Sequence, residues 1–377
     1  MDNDLHLSGV ETAREAGYPL AIAAVVFLSR YLTRGGLYYV DGPRLVRAIL
    51  DHTYVVQRPG YWLYCRLGSI FRDPALGLIV LNEVFSAAGV AVFFLLCRRM
   101  HLNLRTSVLA ALAYSSIFFV WFAGDVQSSY ASQILFAPLT IYCFLRYWDK
   151  PSRLWLIASA VSFAIGTGLR PSDGAFLAPL TLYMLLQFVG SWKERCFFLL
   201  LTGVACLGWY IPTQMALRAS HAAHLGVQLG SLAYQVSPLL TGINARSIAN
   251  ILRVTLPLFA AFWMLLPLLF LHRSRRENWI FALWVAPGLA FFSLIYMADA
   301  TYLTFLAGGV ILFAATAKRP NAAAALLLLC FVFNVALFVG ARPLRSTGKF
   351  DTAVNFYVVK YCNYGIRHQW SSTIGHH

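Results

Sequence analysis

The chain has 377 residues, 59% of them hydrophobic and only 12% charged, with a formal net charge of +15. A soluble globular protein carries roughly 25% charged residues, so this balance excludes an ordinary soluble domain and points to a membrane protein. The positive charge does not imply a nucleic-acid partner, because the bases lie between apolar segments and are not gathered on one soluble module.

A helix needs roughly 20 apolar residues to cross a bilayer core. Eleven segments approach that length: 18–33, 76–97, 107–123, 132–145, 154–168, 175–189, 196–215, 252–271, 279–297, 302–317 and 322–340. The first has no small-residue cleavage site after a short apolar core, so it is expected to remain as a helix. The expected fold is an all-α integral membrane protein, a polytopic bundle of about eleven transmembrane helices.

Alternate short loops read "CRRMHLNLR", "RYWDKPSR", "SWKER", "HRSRREN" and "AKRPN" and hold thirteen Lys/Arg, whereas "GDVQS", "RPSDG" and "MADAT" hold one. Positive residues mark the cytoplasmic side, which puts the N-terminus inside and the C-terminus outside. A bacterial inner membrane is favoured over the endoplasmic reticulum. Three outward segments are long: 34–75, 216–251 and the tail 341–377. The organisation expected is one membrane domain over 1–340 followed by a short outer tail. No pair of matching half-chains with interrupted helices, the usual mark of a secondary transporter, is visible.

The first outer loop carries most of the outward charge, in "YYVDGPRLVRAILDHTYVVQRPGYWLY". Within it, "GPRLVRAILDH" has Leu45, Val46, Ile49 and Leu50 at helical spacing, with Arg44, Arg47 and Asp51 opposite. That pattern predicts an amphipathic helix in the headgroup plane, started by Gly42-Pro43, with Asp41 at its N-terminus. "RPGYWLYCRLGSIF" predicts a second short interfacial piece after a turn at Pro59-Gly60.

Arg44, Arg47, Arg58, Arg66 and Arg72 stand on the outer side, against the positive-inside trend. Singly, each can be an interfacial arginine reaching for headgroup phosphates. Together, beside Asp41 and Asp51, they suggest a site for a phosphate carried on a lipid. Asp125 ends the third segment, Arg170 and Asp173 follow the fifth, and Asp299 follows the ninth, all at about one depth. Such acids also cap helices, the plain alternative for Asp173 and Asp299. Glu83, with Asn82, lies inside an apolar segment, where an ionised carboxylate costs roughly 2.5–3.5 kcal/mol, so it either serves function or bonds a neighbouring helix.

The seven cysteines form no CxxC pair. Cys65 and Cys362 both fall on the expected outer side, a weak disulfide signal. His221 and His224 have i, i+3 spacing but no third ligand, so no metal site is assigned. Walker, nucleophile-elbow and dinucleotide patterns are missing, which argues against soluble-nucleotide chemistry.

One span, a long outer loop opening on an acid, and then a bundle with short loops resembles the GT-C superfamily of membrane glycosyltransferases. The closer resemblance is to the branch related to protein O-mannosyltransferases. "DGPR" stands at the place of that family's Asp-Ser-Gly-Glu element, and "QRPGYWLY" at the place of its His-Pro-Pro-Gly-Tyr-Pro-Leu-Tyr element. "FFLLCRRM" resembles its arginine-ended second helix, and "GDVQSSYASQILF" its Glu-Val-Tyr stretch. The likeness covers roughly the first 190 residues. Arg44 replaces the second acid of the first element, Gln57-Arg58 replaces His-Pro, and Tyr302 in "DATYL" lacks the preceding arginine.

The resemblance implies transfer of a mannose-like or other hexose from a polyprenyl-phosphate donor to a hydroxyl, at the outer or luminal face, with inversion. On that reading Asp41 is the general base and Asp125 orients its partners or the acceptor. Arg44, Arg47, Arg58 and Arg170 are candidates for the donor phosphate. Asp51, His52, Gln57, Tyr61, Asp173, Asp299 and Tyr302 are the remaining site candidates. A divalent metal is chemically compatible with two acids but is not predicted. The expected partners are membrane lipids, a lipid-linked sugar, a protein, glycan or lipid acceptor, and conceivably a partner subunit. The alternatives are a transporter or flippase of lipid-linked sugars, with polar groups at the membrane midplane, and a non-catalytic assembly subunit of the same fold.

Overall fold

The computed structural model describes residues 9–34, 41–56, 60–219, 236–269, 271, 278–296 and 300–340. Among them all regular structure is helical: α1 (Gly9–Thr33), α2 (Asp41–Leu50), α3 (Trp62–Gly68), α4 (Pro74–Arg99), α5 (Leu104–Ser116), α6 (Phe118–Asp125), α7 (Ala131–Asp149), α8 (Arg153–Leu169), α9 (Pro171–Phe188), α10 (Trp192–Ala219), α11 (Ala245–Phe262), α12 (Asn278–Leu294), α13 (Thr304–Ala315) and α14 (Pro320–Gly340). Short turns at Trp263–Leu265 and Ala300–Leu303 are 3-10 helix.

Polar residues at the loop ends start several helices. Asp73 Oδ1 accepts the N–H groups of Ala75 and Leu76 ahead of Pro74. Asn103 caps α5, Ser152 caps α8, and Asn244 forms a capping box with Ser247. These groups satisfy N–H donors that a helix leaves orphaned.

At the centre, α4 packs against α1, α5 and α7, and α7 packs in turn against α8 and α9. The α4–α7 approach depends on Gly89, whose Cβ, if present, would lie 2.4 Å from the Ile134 carbonyl oxygen. Small residues at such crossings let backbones meet where lipid supplies no hydrophobic drive.

A helix or broken helix lies over each of the eleven predicted segments, but the number of full crossings is not read off so simply. Among the described residues four helices are long and apolar enough to cross alone: Pro74–Arg99, Trp192–Ala219, Ala245–Leu268 and Pro320–Phe338. The segment predicted as one span over 107–123 is instead α5 and α6, bent by 64° at Ile117. Backbone polar groups released by a break inside a membrane need internal partners. Arg30 Nη2 donates to the Ser115 carbonyl at 2.6 Å, and Phe118 N–H donates to Asn334 Oδ1 at 3.4 Å.

The first outer loop holds the two predicted amphipathic pieces, with one adjustment. On α2 the buried face is Leu45, Ala48 and Ile49, while Leu50 is exposed, because a stripe at i, i+3, i+4 excludes the residue one further on. Before α3 the chain turns at Gly60, with φ 132°. A Cβ there would sit 2.3 Å from Thr213 Cγ2, so only glycine fits both the backbone and the space.

Candidate active site

The site candidates converge on the connection between α6 and α7, residues 126–130. Asn82, buried on α4, holds this connection: its Nδ2 donates to Val126 O at 2.6 Å and to Ser128 O at 2.8 Å. The Tyr64 hydroxyl on α3 lies 3.0 Å from both Asn82 Oδ1 and Ser128 O. Buried amide donors aimed at loop carbonyls fix a non-helical backbone that lipid could not solvate.

At the near end stands Asp125, 1% exposed, within electrostatic reach of Arg30 and Arg34. Arg30 is buried in α1, its guanidinium 4.6 Å above the Trp121 ring. Arg34, just past α1, makes a bidentate pair with Glu83 (Nε–Oε1 2.6 Å, Nη2–Oε2 2.8 Å). These bonds raise the Arg34 pKa above its usual value. Of the two sequence readings of Glu83, the structure realises the helix-bonding one. The carboxylate is fully buried but paired.

At the far end Arg170, 3% exposed, joins α8 to α9. Its Nη1 donates to Ser129 Oγ at 3.1 Å, and its Nε lies 3.3 Å from Asp173 Oδ1. Gln133 Nε2 donates to the same carboxylate oxygen at 2.7 Å. The guanidinium is 3.7 Å from the centre of the Tyr130 ring and 5.1 Å from that of Tyr302. Tyr61 also acts on it electrostatically. The result is a cation set against a pair of tyrosine rings whose centroids lie 5.0 Å apart, with one acid beside it, an arrangement suited to guanidinium because its plane both stacks and forks.

The N-terminus of α2 abuts the same connection: the Cβ direction of Gly42 points at Gln127, 3.6 Å from its Cβ, O and Oε1. The backbone of Asp41 therefore starts α2 beside residues 126–130. Gln57, Arg58 and Asp299 lie outside the described residues, as do His221, His224 and Cys362. Arg44 and Arg47 are exposed on α2, with Arg47 Nε 3.4 Å from Asp51. His52 bonds Tyr54 through Nδ1 at 3.0 Å. These four line the outer rim and do not share the Arg170 cluster.

Of the predicted candidates, then, Arg170, Asp173, Tyr61 and Tyr302 come together, and Asp125 sits at the other end of the same loop. Sequence reasoning missed Arg30, Arg34, Ser129, Tyr130 and Gln133. Arg30 carried a usable signal, an arginine inside an apolar run, which by default marks function or a buried partner. Ser129, Tyr130 and Gln133 carried none beyond their place after Asp125. Among the described residues no group of three or more His, Cys, Asp or Glu side chains is arranged to hold a metal ion.

Residues 59–213 match the family model described as dolichyl-phosphate-mannose-protein mannosyltransferase. The chain is also similar to the crystal structure of ArnT from Cupriavidus metallidurans bound to undecaprenyl phosphate. That match has a TM-score of 0.56 and 13% identity over 92% of this chain and 75% of that one. At that identity the likeness is one of fold. No curated protein matches the chain. The chain is thus a membrane protein with a fold like that of ArnT, which supports the resemblance read from the motif order.

Proposed function

We propose that the protein is a glycosyltransferase that moves a hexose from a polyprenyl phosphate to a hydroxyl acceptor at the outer face of the membrane. The observation that carries this reading is the gathering of the α2 N-terminus, Asp125 and Arg170 around residues 126–130, a single connection clamped by Asn82. The mannosyltransferase family model over 59–213 and the undecaprenyl phosphate bound to ArnT support the donor class.

The chemistry such a site must perform is one displacement. The acceptor oxygen attacks the anomeric carbon as the bond from that carbon to the phosphate oxygen breaks. The polyprenyl phosphate leaves with the bonding electrons, and the acceptor proton passes to the Asp41 carboxylate. A positioned base contributes about 10²–10⁴-fold. Cations that meet the phosphate as its charge grows lower the barrier further. Arg170 is the buried candidate for that task, with Arg44 and Arg47 exposed on α2 as further candidates and Arg58 a candidate by sequence alone. Asp125 orients the acceptor, its charge balanced by Arg30 and Arg34. The proposed orientation puts the N-terminus in the cytoplasm and this face in the periplasm or lumen.

The test is turnover of polyprenyl-phosphate sugars by purified wild type and Asp41→Asn of equal folding. The expected result is loss of about 100-fold or more in the variant, at the low end of what a general base supplies. Equal turnover would remove Asp41 from the reaction. Lipid translocation by the wild type without any glycosidic product would replace the whole reading with transport.

A further inference from the structure

The first outer loop encloses a groove that the site above does not use. It runs between the end of α2, the helix α3 and the start of α4, with a volume of about 670 Å³. One side is apolar and open to the surroundings: Leu50 is 61% exposed and Ile70 76% exposed, with Phe71 beside them. The other side carries the cations Arg66 and Arg72 with His52 beside them, and no carboxylate lines the groove. The acids next to it in sequence are engaged elsewhere. Asp51 pairs with Arg47, and Asp73 caps α4.

The cationic side is held in place by Tyr54. The Arg66 guanidinium lies 4.6 Å from the centre of the Tyr54 ring, and His52 Nδ1 lies 3.0 Å from the Tyr54 hydroxyl. This placement requires unusual backbone. His52 and Tyr54 have φ 54° and 56°, a left-handed conformation that disfavours bulky side chains. It is maintained by Thr53 N–H and Tyr54 N–H, which both donate to the Ala48 carbonyl, at 3.0 and 2.9 Å. Backbone strain of this kind persists where the surroundings over-determine it, and it clusters at ligand clamps.

We propose that this groove binds a membrane phospholipid with an anionic headgroup, its phosphate taken by Arg66 and Arg72 and an acyl chain lying along Leu50, Ile70 and Phe71. Guanidinium forks suit a phosphate. Apolar surface covered by a lipid chain gains about 25 cal/mol per Å². A zwitterionic lipid offers the same chain but no net charge to the cations, so the groove discriminates by headgroup. The site is separate from the donor site proposed above and does not depend on it.

Native mass spectrometry of the full chain, released from nanodiscs of mixed phosphatidylglycerol and phosphatidylcholine, tests this directly. The wild type is expected to retain the anionic lipid about tenfold or more over the zwitterionic one, and Arg66→Ala/Arg72→Ala to lose most of that preference, since each cation near a membrane surface contributes about 1 kcal/mol. Arg66→Lys/Arg72→Lys keeps charge and should keep part of the preference, which separates headgroup binding from misfolding. Leu50→Ser/Ile70→Ser should weaken lipid retention. Parity of the two lipids on the wild type, or an unchanged preference in Arg66→Ala/Arg72→Ala, would overturn the proposal. Displacement by inorganic phosphate alone would show a headgroup site without a chain groove, and displacement by polyprenyl phosphate in preference to phosphatidylglycerol would give the groove to the donor. Either result also overturns it.

Discussion

The Arg34–Glu83 pair makes an asymmetric prediction. Glu83 is 0% exposed and Arg34 25% exposed by side chain, so the two partners have unequal access to water. Arg34→Ala removes both hydrogen bonds and strands a carboxylate that water cannot reach, which costs about 3–5 kcal/mol when a buried pair is broken. Glu83→Gln removes the charge but keeps the volume and one acceptor, while Arg34 can still turn toward solvent. Its loss should be about 1.5–2 kcal/mol, the low end for a hydrogen bond to a charged group. The double variant Arg34→Ala/Glu83→Gln then contains no stranded charge, so the second substitution should restore stability lost to the first. Thermal unfolding of the purified proteins in one detergent, followed by tryptophan fluorescence, gives the order directly. The expected ranking is wild type, Glu83→Gln, the double variant, then Arg34→Ala. A double variant less stable than Arg34→Ala alone would refute the argument that desolvation of Glu83 dominates.

Asn82→Leu keeps the side-chain size but withdraws the donors from the Val126 and Ser128 carbonyls. The Val126 carbonyl so orphaned costs about 1–3 kcal/mol while Ser128 O keeps the Tyr64 hydroxyl, and hydrogen exchange at residues 126–130 should quicken; unchanged exchange would mean the clamp is ornamental. Gly60→Ala places a Cβ in a left-handed backbone and against the Thr213 methyl, with an expected loss of about 1–3 kcal/mol. Thr213→Ser in the same chain should recover only part of it, because the methyl clash goes but the φ strain stays, and full recovery would assign the whole cost to the clash.

The helical segments were legible because periodicity and apolar length are local properties. What was not legible was long-range. Nothing in "LAYSSIFFVWF" announces the break at Ile117, since its partners come from Arg30 and Asn334, far off in the chain. For the same reason Glu83 read as an isolated acid, its partner Arg34 standing 49 residues away. The arginines of the first outer loop read as one cluster. Among the described residues they divide instead into the exposed rim pair, Arg44 and Arg47, and the groove pair, Arg66 and Arg72. Arg170, from a different loop, is the one buried beside the α6–α7 connection. Tyr61, Arg170, Asp173 and Tyr302 were each nominated from sequence, but only the fold could say that they meet.

That division follows from the cost of charge in a poorly solvated place. The groups packed around α1 and α6 are Arg30, Arg34, Glu83 and Asp125, two cations against two anions, so the buried cluster is formally neutral. A neutral set of opposed charges can be taken out of water where a net charge could not. Arg170 with Asp173 obeys the same rule on the other side of the connection. The excess is expelled to the surface, where the described part of the first outer loop, Arg34 apart, carries four arginines against three aspartates. Water and counterions screen such an excess, and lipid phosphates compete with the counterions for it. The structure thus separates two tasks. The surface attracts and sorts anionic headgroups, while the compensated interior keeps its opposed charged groups in place. Converting Arg30 to a neutral residue of similar length, Arg30→Met, would remove a cation within electrostatic reach of Asp125 and the side-chain donor to the Ser115 carbonyl. The damage should therefore fall on the folded bundle first and on lipid capture at the surface hardly at all.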